Sequence, residues 1–361
     1  MTATLNDQPI HSKPVYKFAW MFGRNNDLIF FFAPIVLSAA LYLLLQSHVL
    51  AAGVLMAFVF NGVGLNQLHL GPSWYFYLDK RNISYWRQNK NKAALFFAGP
   101  PLIMLVSILL GLFAPGLNYL ATTLWGMQHF IQQNFGILIL YHNPKSGEAI
   151  ASRNLQNRSL WAASLFFILF YFERLMLKGQ YSSAFMAVAA IFAIGAIFYC
   201  GLYISELRKQ IKAGATLNVP ALMFWLMSVF YFAPFALLTY DASTAFVVPG
   251  VLHWTQYLFL NYMLVKYKYK DSASQAQLPI NKPILLFNGL AILLVIVSFS
   301  IWGVRYSGHV NIGLVMGILF GISNIHYFQD AFLWRFREQF QRESIMPYLI
   351  EAKQHESGQA S

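Results

Sequence analysis

The stretch IGLVMGILFGISNIHYFQDAFLW, residues 312–334, decides the fold. It starts as an unbroken apolar run and then takes in Asn324, His326, Gln329 and Asp330 without a helix breaker. Roughly 20 mostly apolar residues cross a hydrocarbon core, so the stretch has the length of a membrane span. Ionisable groups at such a depth are costly in lipid and turn toward a bundle interior or a polar cavity. One segment thus predicts both a membrane crossing and a site.

Outward from it, apolar runs predict ten crossings. They lie near Asp27–Gln46, Leu50–Leu70, Ala93–Phe113, Asn118–His142, Ser159–Phe172, Ser183–Ile204, Val219–Tyr240, Phe246–Lys266, Pro283–Val304 and Ile312–Trp334. The fifth is short and closed by Glu173, Arg174 and Lys178, so it spans or re-enters. Of 361 residues, 58% are hydrophobic and 11% charged, against roughly 25% charged in a soluble domain. The composition excludes a soluble enzyme. The fold class is all-α, a polytopic integral membrane helical bundle of about ten transmembrane helices. Residues 1–26 form a cytoplasmic N-terminal segment, 27–334 the bundle, and 335–361 a cytoplasmic amphipathic segment and tail. Within that tail, Arg335–Ile350 reads as a helix lying on the membrane surface, and Glu351–Ser361 as disordered. The single Cys200 allows neither a disulfide framework nor a multi-cysteine metal site.

A net charge of +12 invites a nucleic-acid partner, but placing the cations removes it. With ten crossings, 22 of the 25 Lys and Arg fall on the side of the N-terminus, and only Arg174, Lys178 and Arg305 oppose them. The positive-inside rule then puts both termini in the cytoplasm, with a bacterial inner membrane as the expected location. Trp74, Tyr75, Tyr77, Tyr85, Trp86 and Trp334 fit an interfacial belt on that side, and Tyr181, Trp302 and Tyr306 one on the other. The basic loop Lys80, Arg81, Arg87, Lys90 and Lys92 suits anionic headgroups. Membrane lipids are therefore expected partners.

Strongly polar residues concentrate in four of the ten helices. The second carries Asn61, Asn66, Gln67 and His69, and the fourth Gln128, His129, Gln132, Gln133 and Asn134. The eighth carries His253, Gln256 and Asn261; the tenth is the stretch quoted above. Three of the nine histidines begin the same pattern, His-x-x-Gln: His129 with Gln132, His253 with Gln256, His326 with Gln329. Residues three apart share a helix face, so each pair turns an imidazole and a carboxamide the same way. Asp330 adds a carboxylate, and Tyr257 a hydroxyl. Such residues can serve as packing glue between helices. Histidine on four helices and in the core of none of the other six points instead to a transition metal. His129, His253 and His326 are its expected core and His69 its fourth ligand, with amides and Asp330 around them. Asp330, Gln132, Gln256 and Gln329 are the candidate catalytic residues.

The scarcity of acids narrows the metal. A carboxylate-bridged di-iron site needs about four Glu, and Asp330 is the one acid well inside a crossing. An all-histidine site suits non-haem iron, with copper or zinc less favoured. Zinc-hydrolase, P-loop and dinucleotide-binding patterns are absent. Two alternatives remain: a haem electron carrier with His129 and His253 as axial ligands, and a transporter or channel lined by His, Gln and Asn, with Pro34, Pro220, Pro234 and Pro249 breaking helices. Depth tests the convergence. At about 1.5 Å per residue, His253 lies roughly 11 Å from its helix start, His129 about 17 Å, His326 about 21 Å and His69 about 28 Å. His69 is the outlier, and a second grouping joins His69, His326, Asp330 and His142. His142 itself reads as a helix end, and His11, His48, His309 and His355 as solvated.

In plan, helical crossings with histidines on several of them, the chain resembles the bacterial membrane β-carotene dioxygenase family. Asn66-Gln67-Leu68-His69 and His129-Phe130-Ile131-Gln132 are the stretches on which the likeness would be tested. The resemblance implies intramembrane histidines holding iron, with carotenoid cleavage as one substrate choice, and carries over no residue role. The expected function is an iron-dependent oxidoreductase or oxygenase acting on a lipid-soluble small molecule, served by an electron-donor protein.

Overall fold

Prolines and glycines shape the helices that carry the site. The computed structural model describes residues 16–46, 64–180, 182–238, 246–306 and 311–358. The first helix, α1, covers 24–46; a π turn, Leu28–Phe32, separates Arg24–Asp27 from Ala33–Gln46. Pro34 follows that turn. It lacks the N–H for a four-residue hydrogen bond and its ring crowds the preceding turn, so the backbone widens there. The same happens at Ala94–Ala98, just before Pro100 and Pro101.

Most of the second expected crossing, residues 50–63, lies outside the described residues. Its end is helix α2, Leu65–Leu70, which tightens into a 3₁₀ turn, Gly71–Tyr77. Pro72 does not stop the helical turn. It sits instead in the first turn of the 3₁₀ segment, where a missing N–H costs nothing. Next come α3, Lys80–Arg87, α4, Lys90–Phe113, and α5, Pro115–Tyr141. Helix α6, Arg153–Tyr171, extends through a π turn, Phe172–Met176, so the doubtful fifth segment is a long helix packed along α7, Ser182–Lys212. The seventh breaks into α8, Val219–Val229, and α9, Ala233–Leu237, where Pro234 opens the second piece. The rest are α10, Val247–Lys268, α11, Pro283–Tyr306, α12, Ile312–Leu333, and α13, Gln339–Glu356. One two-residue parallel pair, Tyr16–Lys17 with Leu217–Asn218, is the only β-sheet among the described residues.

Among the described residues, five helical stretches are long and apolar enough to cross a membrane: Lys90–Phe113, Ser182–Lys212, Val219–Leu237, Pro283–Val304 and Ile312–Leu333. Along α7 only Ala189, Tyr203 and Leu207 are buried, leaving an apolar surface suited to acyl chains. Helix α10 is the opposite case: 18 of its 22 residues are buried, and it packs on α1, α2, α11 and α13. Its polar side chains are sheltered by protein, which is how a helix of modest hydropathy sits at the centre.

The position of α12 is set by close contact. Gly313, Gly317 and Gly321 line one face at four-residue spacing, against Gly111, Ser107 and Met104 of α4. A Cβ on Gly317 would lie 2.8 Å from the Ile108 backbone, and one on Gly111 2.3 Å from the Gly313 carbonyl oxygen. Small residues let two helix backbones meet, as in membrane helix pairs generally.

At the basic end of the bundle two expectations change. The C-terminal segment does not lie free: Gln341, Ser344, Ile345, Leu349 and Ala352 of α13 form a buried stripe facing the bundle. Lys353 Nζ donates to the carbonyls of Leu140 and Tyr141 at 2.8 and 3.1 Å, and Glu356 accepts from Lys266 and Tyr267. Residues 351–356, expected to be disordered, are thereby helical. Trp86 and Tyr75, assigned to an interfacial belt, are buried in the protein, Trp86 stacked on Phe96. Across the loop after α5, Glu148 accepts from His142 Nδ1 and the Asn143 N–H and pairs with Lys17 at 3.3 Å.

Two outcomes are expected. Gly317→Leu should destabilise the bundle by about 3 kcal/mol, through overpacking against α4, read as a lowered melting temperature in detergent. Burial alone would raise the Glu148 carboxyl, but His142, the Asn143 N–H and Lys17 outweigh it and hold it at about 2, below the ordinary 4.5. A depressed acid stabilises the fold above its unfolded value and loses that contribution as pH falls through the folded value. Glu148→Gln should therefore lower the melting temperature most above pH 4.5, with the gap closing toward pH 2.

Candidate metal centre

Four helices bring one imidazole each into a single buried cluster. His69 comes from α2, His129 from α5, His253 from α10 and His326 from α12. All four are buried. Ring centroids lie 4.6 Å apart for His69–His326, 5.1 Å for His69–His253, 4.8 Å for His129–His253 and 5.1 Å for His129–His326. The His253–His326 pair is wider, at 6.3 Å. Depth counted from helix starts had spread the four over roughly 17 Å; the helices therefore start at staggered levels or tilt. His69, the outlier by that count, touches two of the other three.

Hydrogen bonding fixes which nitrogen faces the centre. A carbonyl oxygen only accepts, so the contact of His69 Nδ1 with the Asn66 carbonyl places the proton on Nδ1 and leaves Nε2 a bare lone pair. For His326 the logic runs through three residues. Tyr257 donates its hydroxyl proton to Asp330 Oδ1 at 2.7 Å, so it can only accept from Ser73, 3.0 Å away. With its own proton spent on Tyr257, the Ser73 oxygen accepts from His326 Nδ1–H at 2.6 Å. His326 Nε2 is thus the second bare lone pair. The nitrogens His69 Nε2, His129 Nε2, His326 Nε2 and both of His253 have no hydrogen-bond partner in the protein. Leaving buried polar atoms unsatisfied costs about 1–3 kcal/mol each, and lone pairs aimed at one another repel.

A cation removes that cost. Ligand atoms of His69, His253 and His326 lie within 4.8 Å of one another, and so do those of His129, His326 and Asp330. With a metal–nitrogen bond of about 2.1 Å, a ring centroid sits roughly 3.2 Å from the ion; centroids are then about 4.5 Å apart at a right angle, 5.2 Å in a tetrahedron and 6.4 Å when opposed. A tetrahedron would make all separations equal. Four neighbouring pairs lie at 4.6–5.1 Å and one pair at 6.3 Å, so the cluster as it stands is not a regular tetrahedron. Asp330 Oδ2 is 3.6 Å from His129 Nε2 and 3.8 Å from His326 Nε2, beside the ring of ligands.

The glutamines separate. Gln132 is exposed to a cavity bordered by His129, Tyr257 and Asp330. Gln256 is buried, its Oε1 accepting from Gln133 Nε2 at 3.3 Å and its Nε2 donating to the Phe31 carbonyl; it braces α10 against α5 and α1. Gln329 is buried beside Tyr77. His142 joins Glu148, not the cluster, and His355 lies on α13 against Tyr267; His11, His48 and His309 lie outside the described residues. Ser73 is the functional residue that sequence reasoning missed. It lies in the 3₁₀ turn among aromatic residues, and no spacing rule connects it to His326.

Comparison of the chain with protein-family models, with characterised proteins and with solved structures finds no match.

Ser73→Ala should weaken metal binding by about 10–100-fold, the usual cost of losing a partner that orients a ligating histidine. Metal titration of folded protein, with circular dichroism as control, reads this. Unchanged affinity would show that the Ser73 hydroxyl does not orient His326.

Proposed function

We propose that the chain is an integral membrane metalloenzyme, a histidine-ligated non-haem iron oxidoreductase or oxygenase acting on a lipid-soluble substrate. The observation that carries the reading is the set of buried imidazoles whose nitrogens lie close together without hydrogen-bond partners. An imidazole-rich donor set with one carboxylate nearby would suit iron, with copper or zinc less favoured. Haem is less well supported, because His129 and His253, at 4.8 Å, are neighbours rather than opposed axial ligands. A transport path is less well supported too, since the histidines gather in one buried cluster rather than along a path.

Bound iron would supply the electron exchange with dioxygen that oxidation of an apolar molecule requires. The chain supplies the rest. The four histidines hold the ion; the buried surroundings exclude water; and Gln132 faces the cavity where a substrate's polar group would sit. Asp330 keeps Oδ1 on the Tyr257 hydroxyl and turns Oδ2 toward the cluster, which suits it to take up a proton there. The bundle is proposed to cross a bacterial inner membrane ten times with both termini in the cytoplasm. The skewed distribution of Lys and Arg supports this. So does the length of the residue ranges 24–46, 115–141, 153–176 and 247–268, each enough to span. An electron-donor protein would approach the basic end.

Metal analysis tests the reading. Natively purified protein should carry stoichiometric iron and show no Soret band. His69→Ala, His129→Ala, His253→Ala and His326→Ala should each lose most of the iron while staying folded. Full metal retention in all four variants would reject the site.

A further inference from the structure

The metal centre has one open side, and what lines it describes the substrate. A cavity of about 570 Å³ lies between α5 and α12. His129, Tyr257 and Asp330 line its inner part, and Arg335 and Arg337, just past the end of α12, line it at the basic end. The volume lies within the range of small-molecule sites, enough for a single-chain molecule.

The walls are of two kinds. Phe135, Ile139, Leu140 and Leu260 are apolar. Gln128 and Gln132, one helical turn apart on α5, are exposed to the cavity. Amides held at membrane depth without protein cover are costly unless something polar fills the space beside them. At the basic end, Arg335 Nε donates to the Ala331 carbonyl at 3.2 Å and its guanidinium packs over the Phe332 ring. That anchors the group while leaving its remaining N–H donors free. No carboxylate of the described residues pairs with either arginine within 4.0 Å. Arg335 is half-buried and Arg337 exposed, so both can turn donors to a bound anion, and a guanidinium suits the forked oxygens of a carboxylate or phosphate.

We infer that the substrate is a single-chain anionic amphiphile, its head on Arg335 and Arg337 and its chain running up the cavity to the histidine cluster. The inference rests on the metal-centre reading for the reaction, but the binding itself needs no metal. A fully apolar polyene would leave both arginines unpaired.

The test uses full-length protein in phosphatidylcholine nanodiscs and the fluorescent polyene cis-parinaric acid, with its methyl ester as the uncharged control and empty nanodiscs as background. The acid should bind about tenfold or more tightly than the ester, the worth of one charge-assisted hydrogen bond. The double variant Arg335→Gln/Arg337→Gln should lose that preference without losing ester binding or iron. Oleate and lysophosphatidic acid compete in separate arms, and the better competitor identifies the head as carboxylate or phosphate. Equal binding of acid and ester, an unchanged preference in the double variant, or displacement by neither competitor overturns the inference. The His129→Ala/His326→Ala variant separates the two readings. Acid-selective binding by that iron-free protein upholds the inference whatever becomes of the enzyme assignment, and iron in wild-type protein without acid selectivity upholds the metal centre alone.

Discussion

Lone pairs on separate imidazoles, buried and facing one another, are the constraint around which the protein is arranged. The protein leaves these nitrogens without hydrogen-bond partners. Their directions are set from outside, by the Asn66 carbonyl behind His69 and by the chain from Asp330 through Tyr257 and Ser73 behind His326. That chain joins the 3₁₀ turn that continues α2 to α10 and α12, so the residues that orient one imidazole also tie together the segments that carry three.

The scaffold serves that convergence. Helix α10 is enclosed on nearly every side, which permits a polar central helix. Helix α12 is brought against α4 by a row of glycines until the backbones touch, and side-chain compression there would displace His326 and Asp330 together. The outer helices, with α7 the clearest example, do little but present apolar surface. Rigid close packing at the inner helices and generous exposure at the outer ones are the two halves of one design.

Much of this was legible in the chain. Long apolar runs specify helices in lipid with little ambiguity, and the four histidines stood out because ionisable residues are rare where they occur. The levels of the helices were not legible: counting from each start assumes a common plane, and staggering or tilt of the crossings breaks it, which is why His69 looked remote. The fate of the C-terminal segment was hidden for a related reason. An amphipathic stripe reads the same whether it faces lipid or protein, and only the bonds from Lys353 and Glu356 decide for protein. The spacing of Gly313, Gly317 and Gly321 was readable and went unread, masked by the apolar residues between them. Ser73 had no signature at all, since its role arises from a partner 253 residues away.

That distance bears on how the protein is made. A chain synthesised from its N-terminus completes α5 and α10 long before α12 exists, so their histidines and glutamines enter the membrane without the neighbours that later enclose them. Nascent polar helices of this kind depend on holding factors or on lingering at the insertion machinery until the final helix arrives. Truncation upstream of α12 would therefore strand them, and the natural prey of membrane quality-control proteases is a chain in that half-finished state.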